Sequence, residues 1–552
     1  MSATDDQLIR VSVTPGERLS ESLRGLILAL LPVAVAVSSA LATDWPQYRG
    51  PTTDGVSTEP ISTNWPAGGP PIVWSNASLT NGFSSFAVSD GRAFTLVSRN
   101  NGSGGLSEYC VAVDANTGVN LWATPVGDAP WDPVAIGNGG DGTYPYNTGD
   151  GPRSTPSVQY GRVFVLSGLM ALVCLDAASG SVVWSNNLKA SFGAREVGSG
   201  WNNAASPRFD NDLIFVNLST ATNKNLSAFR TSDGSRAWGT STETLTHTTP
   251  IVASILGTRQ VLFATVTGVV GVDRDTGSNL WKFPYPWGQI YTSMGASPVV
   301  YSNIVFCTAG YNKGAAAFSV SLVDGIWYAS TPLWYLTYPA TTYQSIWMTP
   351  VVHQGYIYGQ FGYGGYITGP LICLELATGR LMWSVPNFGK GGTILVNQLL
   401  LSLTEDGQVV LVQPDPAQYR ELARARVFQF GPENQGKCWN SPAYSNGRIY
   451  ARSTRGGAAL DVSLHSPLKF FPPQILVGGQ LEIFVGTVDG SPISADRLAR
   501  IALHASDHLD GLPDNWPIIT GSLVLTSDGR LRFTNALDAA QSQRFYTVVE
   551  TP

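Results

Sequence analysis

Three observations predict an all-β chain built from repeated small sheets. First, one turn-and-strand phrase recurs. Asp114–Trp122 reads DANTGVNLW, Asp176–Trp184 DAASGSVVW, Asp273–Trp281 DRDTGSNLW, Glu375–Trp383 ELATGRLMW and Arg230–Trp238 RTSDGSRAW, each Trp standing four residues after the Gly. Second, eight segments begin alike, with a small residue and usually Pro before an apolar strand: Ser85-Phe86, Thr155-Pro156, Ser206-Pro207, Thr249-Pro250, Ser297-Pro298, Thr349-Pro350, Gly392-Thr393 and Ser441-Pro442. From Pro156 onward the starts lie 51, 43, 48, 52, 43 and 49 residues apart, the length of four strands with their turns. Third, only 13% of residues are charged, while 59 Gly and 35 Pro punctuate the 552-residue chain. That composition suits short strands joined by turns rather than helices.

The phrase has a physical reading. An Asp carboxylate accepts hydrogen bonds from the turn backbone, the Gly takes positive φ, and β-branched and aromatic residues restart a strand. Trp122, Trp184, Trp238, Trp281 and Trp383 then dock on the neighbouring unit. Trp327, in the worn copy Val323–Trp327, is assigned the same role. The seventh unit keeps its turn only loosely, as Gln413–Tyr419, without Gly or Trp. The eighth, from Ser441 to about Ser463, lacks a last strand, whereas Ile72-Val73-Trp74-Ser75-Asn76 looks like a last strand with nothing before it. Joining the two closes a ring and removes open sheet edges. The predicted fold is therefore an eight-bladed β-propeller of four-stranded blades over residues 72–465, closed by the N-terminal strand around Trp74.

The flanks are read separately. Residues 1–42 look like an export signal: Arg24 precedes the apolar run Gly25–Val37, and Ala40-Leu41-Ala42 offers a cleavage site. The run is too short for a membrane span, so the mature chain is expected in the periplasm or outside the cell, without a membrane span. Residues 43–71 form an irregular, surface-hugging lead-in. Residues 466–552 form a small β-sandwich-like domain, with Asp528-Gly529 as a hairpin turn. The five cysteines are scattered, and Cys174 and Cys373 share one repeat position, which suits buried strand residues.

The blades resemble those of pyrroloquinoline-quinone (PQQ) type β-propellers, in which the Trp after the Asp-x-x-Thr-Gly turn docks between blades. Trp45–Pro51, Gly151–Pro156 and Lys437–Pro442 are similar to segments of exported bacterial PQQ-binding-like repeat proteins, relatives of the outer-membrane assembly propeller. Quinoprotein dehydrogenases of this fold carry two adjacent cysteines over the cofactor and bind Ca²⁺. No Cys-Cys pair occurs here, and no Cys-x-x-Cys-His for covalent haem. The resemblance thus implies an exported, non-catalytic scaffold that binds an envelope protein or a small anionic ligand. The alternative it leaves is a divergent alcohol or sugar dehydrogenase using PQQ and calcium.

Candidate site residues follow from position. Arg153, Arg195, Lys390 and Lys437 fall just before first strands, which line a propeller channel. Trp201, Trp347 and Trp439 fall near them. Together they form a candidate pocket for an anionic or planar ligand, with charge-assisted bonds and stacking. The competing reading pairs the cations with Glu196 or Glu433 and uses the Trp residues as filling. No catalytic or metal residue is assigned. The Gly-rich loop Gly137–Arg153 has no Ca²⁺-loop spacing, His504 and His508 sit where a turn is expected, and Asp114, Asp176, Asp273 and Glu375 are turn residues. A net charge of −6 without a basic run gives nucleic-acid binding no electrostatic support.

Overall fold

The recurrent turn forms as its chemistry dictates. The Asp114 carboxylate accepts from the backbone N–H of Asn116 (3.0 Å) and Thr117 (2.8 Å) and from the Thr117 hydroxyl (3.0 Å). Gly118, at φ 70°, donates its N–H to the Asp114 carbonyl at 2.8 Å. A Cβ at Gly118 would also lie 2.6 Å from the Trp74 ring, so glycine serves both the left-handed turn and the close approach.

The computed structural model describes residues 8–12 and 44–550, apart from 104, 129–150, 196–201, 221, 340–342, 363–367, 431–435, 465–467, 477–479, 489, 499, 507–515, 520, 521 and 537–542. Two units are separable. Residues 39–463 form one, and residues 1–38 with 464–552 the other.

Among its described residues the larger unit contains eight sheets, at 87–128, 157–187, 208–240, 251–284, 299–337, 351–389, 392–426 and 443–461, each of four antiparallel strands, with a fifth, parallel strand added to the seventh. The eighth supplies only three of its own strands. Ile72–Asn76 is its fourth, pairing antiparallel with Gly456–Asp461 in the register Trp74↔Ala459. Strand interiors are apolar and buried, as in Val163, Phe164, Val165, Leu172 and Cys174 of the second sheet.

Neighbouring sheets are joined at two levels. On the outside, the indole N–H of a last-strand Trp donates to a carbonyl in the next sheet's turn: Trp74 to Ala115 (3.0 Å), Trp122 to Ala177 (3.1 Å), Trp184 to Thr231 (3.1 Å), Trp238 to Arg274 (3.1 Å) and Trp383 to Asp415 (2.8 Å). On the inside, the Ser/Thr residues at the sheet starts bond one another. Thr155 N–H donates to Ser206 Oγ (2.9 Å), Ser206 N–H to Thr249 Oγ1 (3.0 Å) and Ser297 N–H to Thr349 Oγ1 (3.0 Å). This explains the Ser or Thr at seven of the eight starts, Gly392 being the exception: its side chain replaces a backbone partner that no ladder supplies there.

One Trp assignment is corrected, and one docking Trp bonds differently. Trp327 does not dock between sheets. Ser321–Val323 and Ile326–Tyr328 pair as a separate two-stranded hairpin, and the fifth sheet's last strand is Pro332–Thr337. Trp334 takes the docking role, donating to the Leu376 carbonyl at 2.7 Å over Gly379. Trp281 packs edge-on against Phe318 of the fifth sheet, but its N–H returns to Gln260 Oε1 of its own sheet at 2.7 Å. The equivalent carbonyl of the fifth sheet, that of Val320, accepts instead from the Asn303 side-chain amide at 3.1 Å.

The lead-in is corrected in part: alternate residues from Trp45 to Ile61 are buried, whereas Thr63, Asn64, Ala67 and Gly68 lie at the surface as expected. Trp45 and Arg49 are each 2% exposed. Trp45 exchanges backbone hydrogen bonds with Val88 of the first sheet, and the Pro46 carbonyl accepts from Val158 N–H of the second (2.7 Å). Arg208 of the third sheet reaches the Tyr48 carbonyl (2.9 Å), and Thr53 the Val252 carbonyl of the fourth (3.2 Å). Arg49 donates to the carbonyls of Thr349 (2.9 Å), Pro350 (2.7 Å) and Asp54 (2.5 Å). Val56–Ser57 then adds a short parallel strand to Gly392–Val396 of the seventh sheet. Its exposed backbone groups are thereby satisfied in the interior, which is why a Pro- and Gly-rich stretch can be buried.

In the smaller unit, strands Leu468–Leu476, Gln480–Thr487, Leu531–Ala536 and Ser522–Leu525 form one antiparallel sheet. A second holds Gln543–Glu550 between Ile501–Ser506 and Leu8–Ser12, a segment inside the expected export signal. Ile483 and Phe533 of one sheet share an apolar cluster with Leu503 and Tyr546 of the other. His504 lies in a strand rather than a turn, buried, with Nδ1 2.7 Å from the Trp516 carbonyl oxygen. His508 lies outside the described residues.

Candidate functional site

Chain segments that enter the first strands bring cations and aromatic rings together. Lys390 joins the sixth sheet to the seventh, while Lys437 and Trp439 precede the eighth sheet's first strand, Ala443–Ser445. Trp347 precedes Val351–His353 of the sixth, and Arg153 precedes Ser157–Gln159 of the second.

The rings stack in a row. Phe83 lies on Trp439 with centroids 5.3 Å apart and planes at 18°, and Trp439 packs on Trp347 at 4.7 Å and 39°. Cations cover their faces. The Arg153 guanidinium sits 5.4 Å from the Phe83 centroid, Lys437 Nζ 4.2 Å from Trp439, and Lys390 Nζ 5.5 Å from Trp439 and 5.8 Å from Trp347. Each such contact is favourable by about 0.5–2 kcal/mol depending on desolvation. The indoles are fixed in place: Trp347 Nε1 donates to the Lys390 carbonyl (3.0 Å) and Trp439 Nε1 to Glu405 Oε1 (2.7 Å).

Lys390 is fully buried. Burial lowers its pKa to about 8; Glu405 opposes that shift and Lys437 adds to it. Burial also lowers the Lys437 ammonium, against the attraction of Glu405, 3.7 Å away. His247, which precedes the fourth sheet, is held near a pKa of about 3 by burial and by Arg153, so it stays neutral. Among the described residues, Glu405 pairs with Lys437 and acts on Lys390, while Arg153 lies over the Phe83 ring.

Of the seven residues the sequence singles out, five meet here: Arg153, Trp347, Lys390, Lys437 and Trp439. Arg195 does not join them. It is exposed, and its backbone N–H is bonded to the Leu218 carbonyl. Trp201, Glu196, Glu433 and residues 137–150 of the Gly-rich loop lie outside the described residues. Phe83, His247 and Glu405 were missed. Phe83 stands two residues before the Ser85 start and His247 two before Thr249, so the positional rule that found Lys390 could have found both. Glu405 lies in a turn of the seventh sheet, where nothing local marks it.

PQQ with Ca²⁺ does not fit the residues described. Trp347 and Trp439 already pack on one another, so no slot separates them for a planar quinone. Glu405 is committed to Trp439 and Lys437. Among the described residues, no three His, Cys, Asp or Glu side chains gather to hold a metal. All five cysteines are buried and unpaired, and burial pushes the Cys174 thiol up to about 11.

These features define a PQQ-type repeat protein. Residues 107–385, half of the chain, match the family described as outer membrane protein assembly factor BamB, and the chain belongs to this PQQ-like propeller family. No curated protein matches the sequence. Among solved structures, quinohemoprotein alcohol dehydrogenase from Comamonas testosteroni is similar, with a TM-score of 0.51 and 16% identity over 79% of this chain and 83% of that one. BamB from Moraxella catarrhalis aligns with a TM-score of 0.45 and 14% identity over 71% of this chain and 99% of that one. The first likeness supports the fold alone. No helix among the described residues is long and apolar enough to cross a membrane.

Proposed function

We propose that the larger unit is a closed eight-bladed propeller acting, after export, as a non-catalytic scaffold of the cell envelope. Its cation–aromatic end captures an acidic segment of a partner protein. Ring closure is supported by the seam between the eighth and first sheets. Trp74, Tyr450 and Arg448 all bond the Ala115–Asn116 turn, and buried Arg452 reaches the carbonyls of Leu79 (3.1 Å) and Leu96 (2.9 Å).

The observation that carries the function is the row Arg153, Phe83, Trp439, Trp347 with Lys390 and Lys437 against it. It presents the half-buried rims of Trp347 and Trp439 beside two partly exposed cations, Arg153 and Lys437, to a partner's carboxylates. The family description, an assembly factor of the outer membrane, supports a protein partner. Dye reduction tests the non-catalytic part. The full chain, supplied with PQQ and Ca²⁺ and a panel of alcohols and sugars, is expected to give no turnover above the cofactor alone. Sustained turnover would replace this reading with a quinoprotein dehydrogenase.

A further inference from the structure

In the smaller unit, Gln543–Glu550 lies between Ile501–Ser506 and Leu8–Ser12, the latter in the antiparallel register Leu8↔Thr547, Arg10↔Phe545 and Ser12↔Gln543. Leu8–Ser12 falls within residues 1–42, the expected export signal. The apolar cluster of the unit is built from Leu468 onward, by residues such as Leu481, Ile483, Leu503, Phe533 and Val548. Removal of residues 1–42 therefore takes a strand and leaves the core. It turns Gln543–Glu550 into the edge of its sheet.

That edge is unprotected. Lys, Pro, a bulge or a short length blunt most edge strands. Arg544–Glu550 reads RFYTVVE, with five residues of high strand propensity between its terminal charges and no Lys or Pro. Its ladder to Ile501–Ser506 runs without a register shift.

The strand is also complementary to itself. Set antiparallel to a second copy with Thr547 opposite Thr547, it places Arg544 opposite Glu550, Phe545 opposite Val549 and Tyr546 opposite Val548. Each pair recurs through the twofold axis. Opposite charges, aromatic with β-branched residues, and Thr with Thr are the pairs that stabilise antiparallel sheets. Centring the pair one residue to either side sets Arg544 against Val548 or Glu550 against Tyr546 instead. Glu550 is gripped by Arg497 at 2.9 and 2.7 Å and stays partly exposed. A carboxylate so held keeps acceptor capacity for a second guanidinium.

We propose that, once residues 1–42 are removed, two copies of the chain pair edge to edge through Gln543–Glu550 as a twofold dimer, and that Leu8–Ser12 covers this edge in the unprocessed chain. The occupant is a second copy because this one register satisfies the charges at both ends of the strand. The dimer presupposes the export proposed above.

Disulfide trapping tests it. Thr547→Cys stands opposite itself across the axis, whereas Val549→Cys stands opposite Phe545. The five native cysteines are buried. Under mild oxidation the chain lacking residues 1–42 is expected to form a covalent dimer with Thr547→Cys and not with Val549→Cys, and the full chain with neither. In analytical ultracentrifugation the unsubstituted processed chain is expected to dimerise reversibly. Arg544→Glu sets like charges opposite at both ends and is expected to weaken the dimer at least about tenfold. Excess synthetic peptide of residues 7–13 is expected to dissociate it. A processed chain that stays monomeric throughout, equal trapping at positions 547 and 549, or equal trapping in the full chain would overturn the proposal. The mass of the exported chain tests the export reading separately. A start at residue 43 supports it, and retention of residues 8–12 overturns it together with the dimer.

Discussion

Trp45→Ala is expected to destabilise the protein by about 3–5 kcal/mol, and by more than Trp184→Ala. The order is the reverse of what the sequence suggests, since Trp184 belongs to the repeat and Trp45 to an irregular lead-in. Burial decides. Trp45 is 2% exposed, packs under Gly50 and holds a two-way backbone bridge to Val88. Trp184 is only half-buried at the outer edge of its sheet. Its truncation removes less area from contact and keeps the four strands paired, at a cost smaller by about 1–2 kcal/mol. Urea midpoints of the two variants check this. A larger loss for Trp184→Ala would mean that the lead-in does not belong to the core.

Deleting residues 44–77 is expected to cost more than either substitution. The deletion removes Trp45 and Arg49, uncovers the edge of Gly456–Asp461 and leaves the first sheet's turn without Trp74. Losing two buried Trp side chains alone accounts for several kcal/mol. An open edge invites intermolecular pairing, so a lower denaturation midpoint and concentration-dependent aggregation are the expected result. An unchanged midpoint and a monodisperse product would contradict closure of the eighth sheet by Ile72–Asn76.

The sequence carried the parts of this fold that are local. Asp–x–x–Thr/Ser–Gly and the Trp that follows it are fixed by turn chemistry within nine residues, and the orphan strand around Trp74 can be matched to the incomplete eighth unit by counting. The lead-in was misjudged because its partners are remote: Arg49 bonds residues about 300 positions away. No local pattern announces that a guanidinium will satisfy buried carbonyls. Trp327 was misassigned because an inserted hairpin mimics the turn phrase, including its Gly325-Ile326-Trp327, while the true last strand begins only at Pro332. At the candidate site, position relative to the sheet starts located the cations and two indoles. Glu405 could not be found that way, because it comes from a turn between the middle strands of the seventh sheet and meets Trp439 only through packing.

The most direct measurement of the central claim is capture of a dye-labelled hexaglutamate peptide by the full chain, followed by fluorescence anisotropy across salt and pH. Hexaglutamine serves as the neutral control. Capture is expected at low salt and should weaken as salt rises, since Arg153 and Lys437 are partly exposed and screened, with buried Lys390 acting through its field. It should also weaken above a pH of about 8, where Lys390 gives up the proton that burial already makes labile. Arg153→Ala combined with Lys390→Met should reduce capture by at least about tenfold and flatten both dependences. Equal capture by wild type and the double variant, with the same salt and pH dependence, would contradict the account and move the partner-binding surface away from the cation–aromatic end.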